Sequence, residues 1–168
     1  MNDGRPVEAD LGPEAIRGLR VAVVAARFNA DVTDALAAGA VDALRRQGLQ
    51  DEDVLVCRVP GAFELAPTAR RLARSGLYDA IVCLGAVVEG GTDHYRYVCD
   101  AVTAGLTRLA QDAAEFAPSG VAVSFGVLTT RTREQALART GGAEGNKGAD
   151  AALAALETAA LWRALPGG

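Results

Sequence analysis

The sequence predicts a three-layer α/β/α sandwich built on a four-stranded parallel sheet. Four short apolar runs recur along the chain: LRVAVVAARF from Leu19, DVLVCRV from Asp53, DAIVCLGAVV from Asp79 and VAVSFGVLT from Val121. Helical patterns separate each run from the next, and a helical crossover returns the chain to the same end of a sheet, so neighbouring strands run parallel. Half of the 168 residues are hydrophobic yet only 5% are aromatic. Val, Leu and Ala must therefore fill the interior, which suits strands that are apolar on both faces.

Each element has its own signal. After the first strand, Val32, Leu36, Ala40 and Leu44 recur at four-residue spacing over residues 31–47, one face of a helix, with Asp31 as the candidate N-cap and Gly48 as the stop. The second strand runs into the break Pro60–Gly61, and a helix is expected over residues 63–75, ending at Gly76. The third strand leads into a glycine-rich turn, EGGTDH. A long helix follows to about residue 115, with Tyr95, Val98, Val102, Leu106, Leu109 and Ala113 as its inner stripe. Beyond the fourth strand come a short helix over residues 133–139, a glycine-rich loop and a last helix reaching residue 164, with Leu153, Leu156 and Ala160 facing inward. The doubly wound arrangement expected from this order is of the flavodoxin-like type.

Residues 1–17, with two prolines, two glycines and mixed charge, read as a flexible N-terminal arm, and residues 18–168 as a single domain. The start is polar and carries no apolar segment, so no signal peptide is expected, and no run is long enough to span a bilayer. The net charge of −4, without a cluster of Lys and Arg, argues against nucleic-acid and membrane partners. Three cysteines without CxxC spacing give neither a disulfide framework nor a zinc site. Cys57 and Cys83 read as buried small hydrophobes, and a reduced, cytoplasmic location is expected.

Open parallel sheets bind ligands beyond the carboxyl ends of their strands. The unusual residues of this chain collect there: Phe28 after the first strand, Pro60 to Glu64 after the second, Glu89 to His94 after the third, Thr129 and Thr130 at the fourth. His94 is the only histidine and the first candidate for proton transfer, since its residue type titrates near neutrality; the plain alternative is an idle, exposed histidine in a first helical turn. Gly90, Gly91 and Thr92 suit an anion at a helix start, or form a simple turn. No Gly-Lys-Ser/Thr follows, so this is no P-loop, nor is it a GxGxxG fingerprint. Arg139 is either an anion clamp or a cation at a helix C-terminus, and Lys147 either a site cation or a solvated lysine. Phe28 and Phe63 either stack on a flat ring or plug the sheet end, and Glu64 either accepts from ligand hydroxyls or sits in a first helical turn. Singly, none of these readings is decided by the residues.

Taken together and in order, the segments ARFNADVTDALAAGAVDAL, VPGAFELA, GAVVEGGTDHYRYV, FGVLTT, EQALAR and GNKGADAA resemble the lumazine synthase family, from about Leu19 to Leu165. The resemblance implies condensation of 5-amino-6-ribitylaminouracil with 3,4-dihydroxy-2-butanone 4-phosphate to 6,7-dimethyl-8-ribityllumazine, releasing phosphate and water, with no cofactor and no metal. It implies that Phe28 stacks on the pyrimidine, that Ala62, Phe63 and Glu64 line the pocket, and that Glu64 holds ribityl hydroxyls. Val87, Val88 and Glu89 would meet the pyrimidine through backbone groups. Gly91, Thr92 and Arg139 would hold the phosphate, and His94 would move protons. Phe125 would complete the site from a neighbouring subunit, with Lys147 nearby. Two departures stand out: the family usually carries a basic residue where this chain has Glu89, and Asp93 and Arg96 are not its commonest neighbours of the histidine.

The resemblance also implies a homo-oligomer of pentamers, with the short GGAEGN loop pointing to the version that assembles an icosahedral shell, and riboflavin synthase as a candidate partner. An alternative of another class is a paralogue that binds flavins or lumazines, or builds a shell, without efficient catalysis, and Glu89 is its best support. A flavodoxin-like phosphate-binding or signalling module would need an acidic phosphoacceptor cluster or a flavin loop, and the sequence offers neither.

Overall fold

The computed structural model describes residues 7–8 and 11–165. Its sheet consists of β1 (Val21–Ala26), β2 (Val54–Val59), β3 (Ala80–Val88) and β4 (Ala122–Thr130), in the order β2-β1-β3-β4 with every neighbouring pair parallel. The expected flavodoxin-like sandwich is therefore the observed fold. The helices are α1 (Pro13–Ile16), α2 (Ala30–Arg46), α3 (Leu65–Ala73), α4 (His94–Ala113), α5 (Arg133–Leu137) and α6 (Lys147–Ala164). The glycine-rich loop before α6 holds a small antiparallel pair, β5 (Thr140–Gly142) and β6 (Gly145–Asn146), that periodicity did not reveal.

Alternate residues of β1 feed two separate cores, because successive side chains of a strand point to opposite faces. Val21, Val23 and Ala25 pack with α2 and α6; Ala22, Val24 and Ala26 pack with α3 and α4. All six are buried, as a central strand requires. β2 is an edge strand and departs from the expectation of full burial: Leu55 and Val56 are exposed, and Cys57 is half-buried rather than buried as expected. Only Cys83, on the interior strand β3, is fully enclosed, and its burial pushes the thiol up to about 12.

Helix boundaries follow local chemistry. The N-cap of α2 is Asn29 rather than the expected Asp31; Asp31 sits in the first turn and pairs with Arg133 of α5 at 2.6 Å. The expected helix at residue 63 opens as a 3₁₀ turn, Ala62–Glu64, before α3. Gly48 and Gly76 end α2 and α3 with φ of +107° and +71°, a region that favours glycine. The segment read as an arm contributes α1, whose Ile16 joins the core; its residues 1–6 and 9–10 lie outside the described residues.

The closest packing lies between α2 and α6. Asn146 caps α6 by accepting from the N–H groups of Gly148 (2.9 Å) and Ala149 (3.1 Å), while its Nδ2 donates to Ala35 O of α2 at 3.0 Å. A Cβ added at Gly39 would meet the Asn146 amide, and one added at Gly148 would meet the backbone carbonyl of Leu36. The GNKG segment is thus a joint between helices as well as a helix start. The buried stripe of α6 is mostly alanine (Ala151, Ala152, Ala155, Ala159 and Ala160 with Leu156), whereas Leu153 is only half-buried.

Two expectations follow. Gly148→Ala should force α2 and α6 apart and lower stability by about 1–3 kcal/mol, the usual cost of overpacking, read from urea unfolding. Cys83 stays protonated in the folded chain up to about pH 12, whereas a free thiol ionises near pH 9. The unfolded state therefore loses a proton first, and stability should fall as pH rises from 9 towards 12, by up to about tenfold in the folding constant per pH unit. Cys83→Ala should remove that component of the alkaline fall in a pH series of unfolding curves.

Candidate active site

The β1–β3 ladder ends at Ala25 and Leu84, whereas β3 runs on to Val88 beside β4. From β1 the chain winds outward to β2 on one side and β3 lies on the other, so the crevice between β1 and β3 is the topological switch point of the sheet. A cavity of about 600 Å³ opens there. Phe28, Pro60 to Glu64, Ala86 to Val88, Gly90, Thr92, His94, Tyr95 and Val98 line it.

Each wall has a structural cause. Phe28 is held by its N–H, which donates to Pro60 O at 3.1 Å, and by Arg27 N–H, which donates to Val59 O at 2.7 Å; the ring itself is 71% exposed. Phe63 is likewise exposed, on the 3₁₀ turn that Glu64 closes by accepting from Gly61 N–H at 2.9 Å. That bond uses one of about four acceptor sites of the carboxylate. Leu65, next in sequence, is fully buried and anchors the turn beneath. Val87 and Val88, half-buried at the end of β3, form the floor.

His94 opens α4 and is exposed to the cavity. The helix has twenty residues and its N-cap, Asp93, makes no side-chain capping bond, so its first turn is open towards an anion. Gly90 and Gly91 are exposed, and a Cβ added at either would meet no other group, so the turn is accessible. Tyr95, half-buried beside the histidine, has its phenol raised above its ordinary value, first by burial, then by the charge and hydrogen bond of Cys99 and the charge of Glu89; a hydrogen bond from Thr129 acts the other way.

Two flat faces, a carboxylate, a histidine and an open helix start around one crevice suit a planar, hydroxylated substrate that carries an anion and needs proton transfer. The relatives of the chain agree with that chemistry. The family model for 6,7-dimethyl-8-ribityllumazine synthase matches residues 18–163. The chain is 53% identical over 148 residues to the 6,7-dimethyl-8-ribityllumazine synthase of Anaeromyxobacter sp. (strain K), covering 88% of each. It belongs to the 6,7-dimethyl-8-ribityllumazine synthase family. The same-named protein of Anaeromyxobacter sp. (strain Fw109-5) is 52% identical over 146 residues, covering 87% of this chain and 86% of the relative.

Within this lumazine synthase family chain, the residues expected at the site divide into two groups. Phe28, Ala62, Phe63, Glu64, Val87, Val88, Thr92 and His94 converge on the cavity. Glu89, Gly91, Phe125, Arg139 and Lys147 do not line it. Glu89 N–H donates to Thr130 O at 2.8 Å and so is committed to the sheet. Arg139 Nη1 donates to Gln135 O at 2.9 Å, and Lys147 Nζ pairs with Asp150 at 2.8 Å. Phe125 stands 47% exposed midway along β4, opposite Cys83 in the ladder. Sequence reasoning placed Tyr95 and Val98 on the core stripe of α4; Val98 does pack against the core, and both residues also line the cavity. The i, i+3 spacing was right; at the helix start that face reaches past the core to the crevice.

The contrast between exposed walls and buried anchors is testable. Phe28→Ala should leave stability within about 0.5 kcal/mol of the parent, whereas Leu65→Ala should cost about 2–5 kcal/mol. Thermal or urea unfolding separates the two.

Proposed function

We propose that the chain condenses 5-amino-6-ribitylaminouracil with 3,4-dihydroxy-2-butanone 4-phosphate, forming 6,7-dimethyl-8-ribityllumazine with release of phosphate and water. The observation that carries this reading is the convergence of Phe28, Phe63, Glu64, His94 and the uncapped start of α4 on the cavity at the switch point. In the proposed arrangement Phe28 stacks on the pyrimidine, and Ala62, Phe63 and Glu64 line its surroundings, with the free acceptor sites of Glu64 taking ribityl hydroxyls. Val87 and Val88 offer backbone groups to the ring, and Glu89 offers its carbonyl, since its N–H is bound to Thr130.

Gly91 and Thr92 receive the phosphate at the start of α4. The 5-amino group adds to the ketone carbon and water leaves, giving an imine. The carbinol carbon beside the imine then gives up its proton as the neighbouring carbon loses phosphate, whose charge is held by the oriented N–H groups of that helix start and by Arg139, and the enol so formed tautomerises to a ketone. Finally the ribityl-bearing nitrogen attacks the newly formed carbonyl carbon and a second water is lost. Each step moves a proton, and His94 is placed to give and accept it. Holding two reactive substrates together supplies much of the acceleration. The reading calls on no cofactor or metal.

In this reading Arg139, Lys147 and Phe125 act at a site shared between subunits. Exposed Phe125 beside the groove of Leu106, Thr107, Ala110 and Gln111 supports such sharing, as do exposed Leu55 and Val56 on the opposite edge strand. We accordingly propose pentamers, with the short loop before α6 favouring an icosahedral shell and riboflavin synthase as its candidate guest. Among the described residues no helix is long and apolar enough to cross a membrane; we propose a cytoplasmic location.

Purified protein mixed with both substrates should form the lumazine, followed by its absorbance and fluorescence, faster than the uncatalysed condensation. His94→Ala should lower turnover by about 10²-fold or more while the fold persists. A rate no higher than the uncatalysed one would overturn the catalytic reading; unchanged turnover in the variant would remove His94 from its role.

A further inference from the structure

Asn29 is the one described non-glycine residue with positive φ (φ 57°, ψ 53°), and it occupies the N-cap of α2. Asparagine is among the best capping residues, because its side-chain oxygen can accept from the first free N–H groups of a helix. Here it makes no such bond. Its backbone carbonyl accepts from Val32 and Thr33 N–H, both at 3.0 Å, and so starts the helix alone. The side chain turns across the crevice instead, and Nδ2 donates to Ala86 O at 2.9 Å.

Ala86 lies on the part of β3 that has outrun β1, beyond the last paired residues Ala25 and Leu84. It is buried and lines the cavity. A buried carbonyl left without a donor costs about 1–3 kcal/mol, and no residue of β1 remains to supply one. Two demands therefore meet at position 29: a left-handed backbone, which lets the chain turn from β1 into α2, and a short side-chain donor that reaches β3. Glycine meets the first but has no donor. Longer amides and lysine offer donors but resist the left-handed region. Asparagine meets both, and it gives up capping to do so.

We propose that Asn29 is a positioning residue for the pyrimidine subsite: its amide bridges β1 to β3 and thereby sets Phe28, its neighbour, over Val87 and Val88 at the fixed spacing a flat ring needs. This deepens the proposed function and rests on it. Phe28 is held from the β2 side by Pro60 O and from the β3 side through Asn29, so the two bonds clamp an exposed ring whose own side chain packs little. The effect belongs to the pyrimidine and not to the phosphate, which is received at the start of α4.

The test uses the full chain with Asn29→Gly, Asn29→Asp, Phe28→Ala and the double variant Phe28→Ala/Asn29→Gly. Glycine keeps the backbone and removes the donor; aspartate keeps turn and cap preferences but cannot donate to a carbonyl. The probe is the aminouracil with its 5-amino group replaced by nitro, which cannot form the imine, and binding is read by titration alongside KM for each substrate. Both Asn29 variants should bind the probe about tenfold more weakly and change KM for the sugar phosphate by less than about twofold. In the Phe28→Ala background, Asn29→Gly should add almost nothing, because the two act as a unit. Probe binding as tight as in the parent, equal weakening of both substrates, additive losses, or failure of both single Asn29 variants to fold would each overturn the assignment. A parent protein that does not bind the probe at all would instead overturn the functional reading beneath it.

Discussion

The ladder between β1 and β3 stops at Ala25 and Leu84 while β3 continues to Val88, and the rest of the site depends on that difference in length. Two parallel strands that ended together would leave their loops packed against one another. Because β1 turns away early, the last residues of β3 present one edge to a crevice while the other stays bound to β4. Phe28 and Asn29 leave β1 on one side, Glu89 to His94 leave β3 on the other, and the 3₁₀ turn after β2 closes the end. Chemistry-bearing residues far apart in sequence thus meet without any loop of unusual length.

Rigidity beneath the site comes from small residues. β1 is built from valine and alanine alone, and both of its faces are buried. The α2–α6 joint brings backbones together at Gly39 and Gly148, and Asn146 satisfies three polar groups there at once. Close approach of this kind leaves little room for helices to slide. Exposed walls such as Phe28, just past the end of β1, and Phe63, on the 3₁₀ turn after β2, stand on backbone tied to the sheet, so their geometry is set by the scaffold and not by their own packing.

The layers were legible because continuous apolar runs and four-residue spacing are strong signals, and the crevice followed from the rule for strand ends. What stayed hidden has physical reasons. Cys57 reads like Cys83, since both lie in apolar runs, but only strand order reveals that β2 is an edge. Asp31 and Asn29 are both good capping residues; the left-handed turn at Asn29, invisible in composition, decides between them. Tyr95 lies on the same helical face as Leu106, and only the overhang of α4 past the sheet separates a cavity wall from a core residue. Arg139, Lys147 and Phe125 were read from motifs, and a single chain brings none of them to the cavity.

The alanine-rich face of α6 has a consequence for how the sequence encodes orientation. Buried Ala151, Ala155 and Ala159 are matched by exposed Ala154 and Ala164, so alanines occur on both the inner and the outer side of the helix. Turning such a helix about its axis would lift Leu156 from the core, but many of its other buried contacts would be exchanged methyl for methyl. The azimuth of α6 is therefore marked mainly at its two ends: Asn146 and Gly148 dock onto Ala35 and Leu36 at the start, and Arg163 pairs with Asp79 and donates to Arg17 O at the finish. Information that most amphipathic helices spread along their length is here concentrated at the two ends, leaving the outer alanines free to drift in sequence without misaligning the layer.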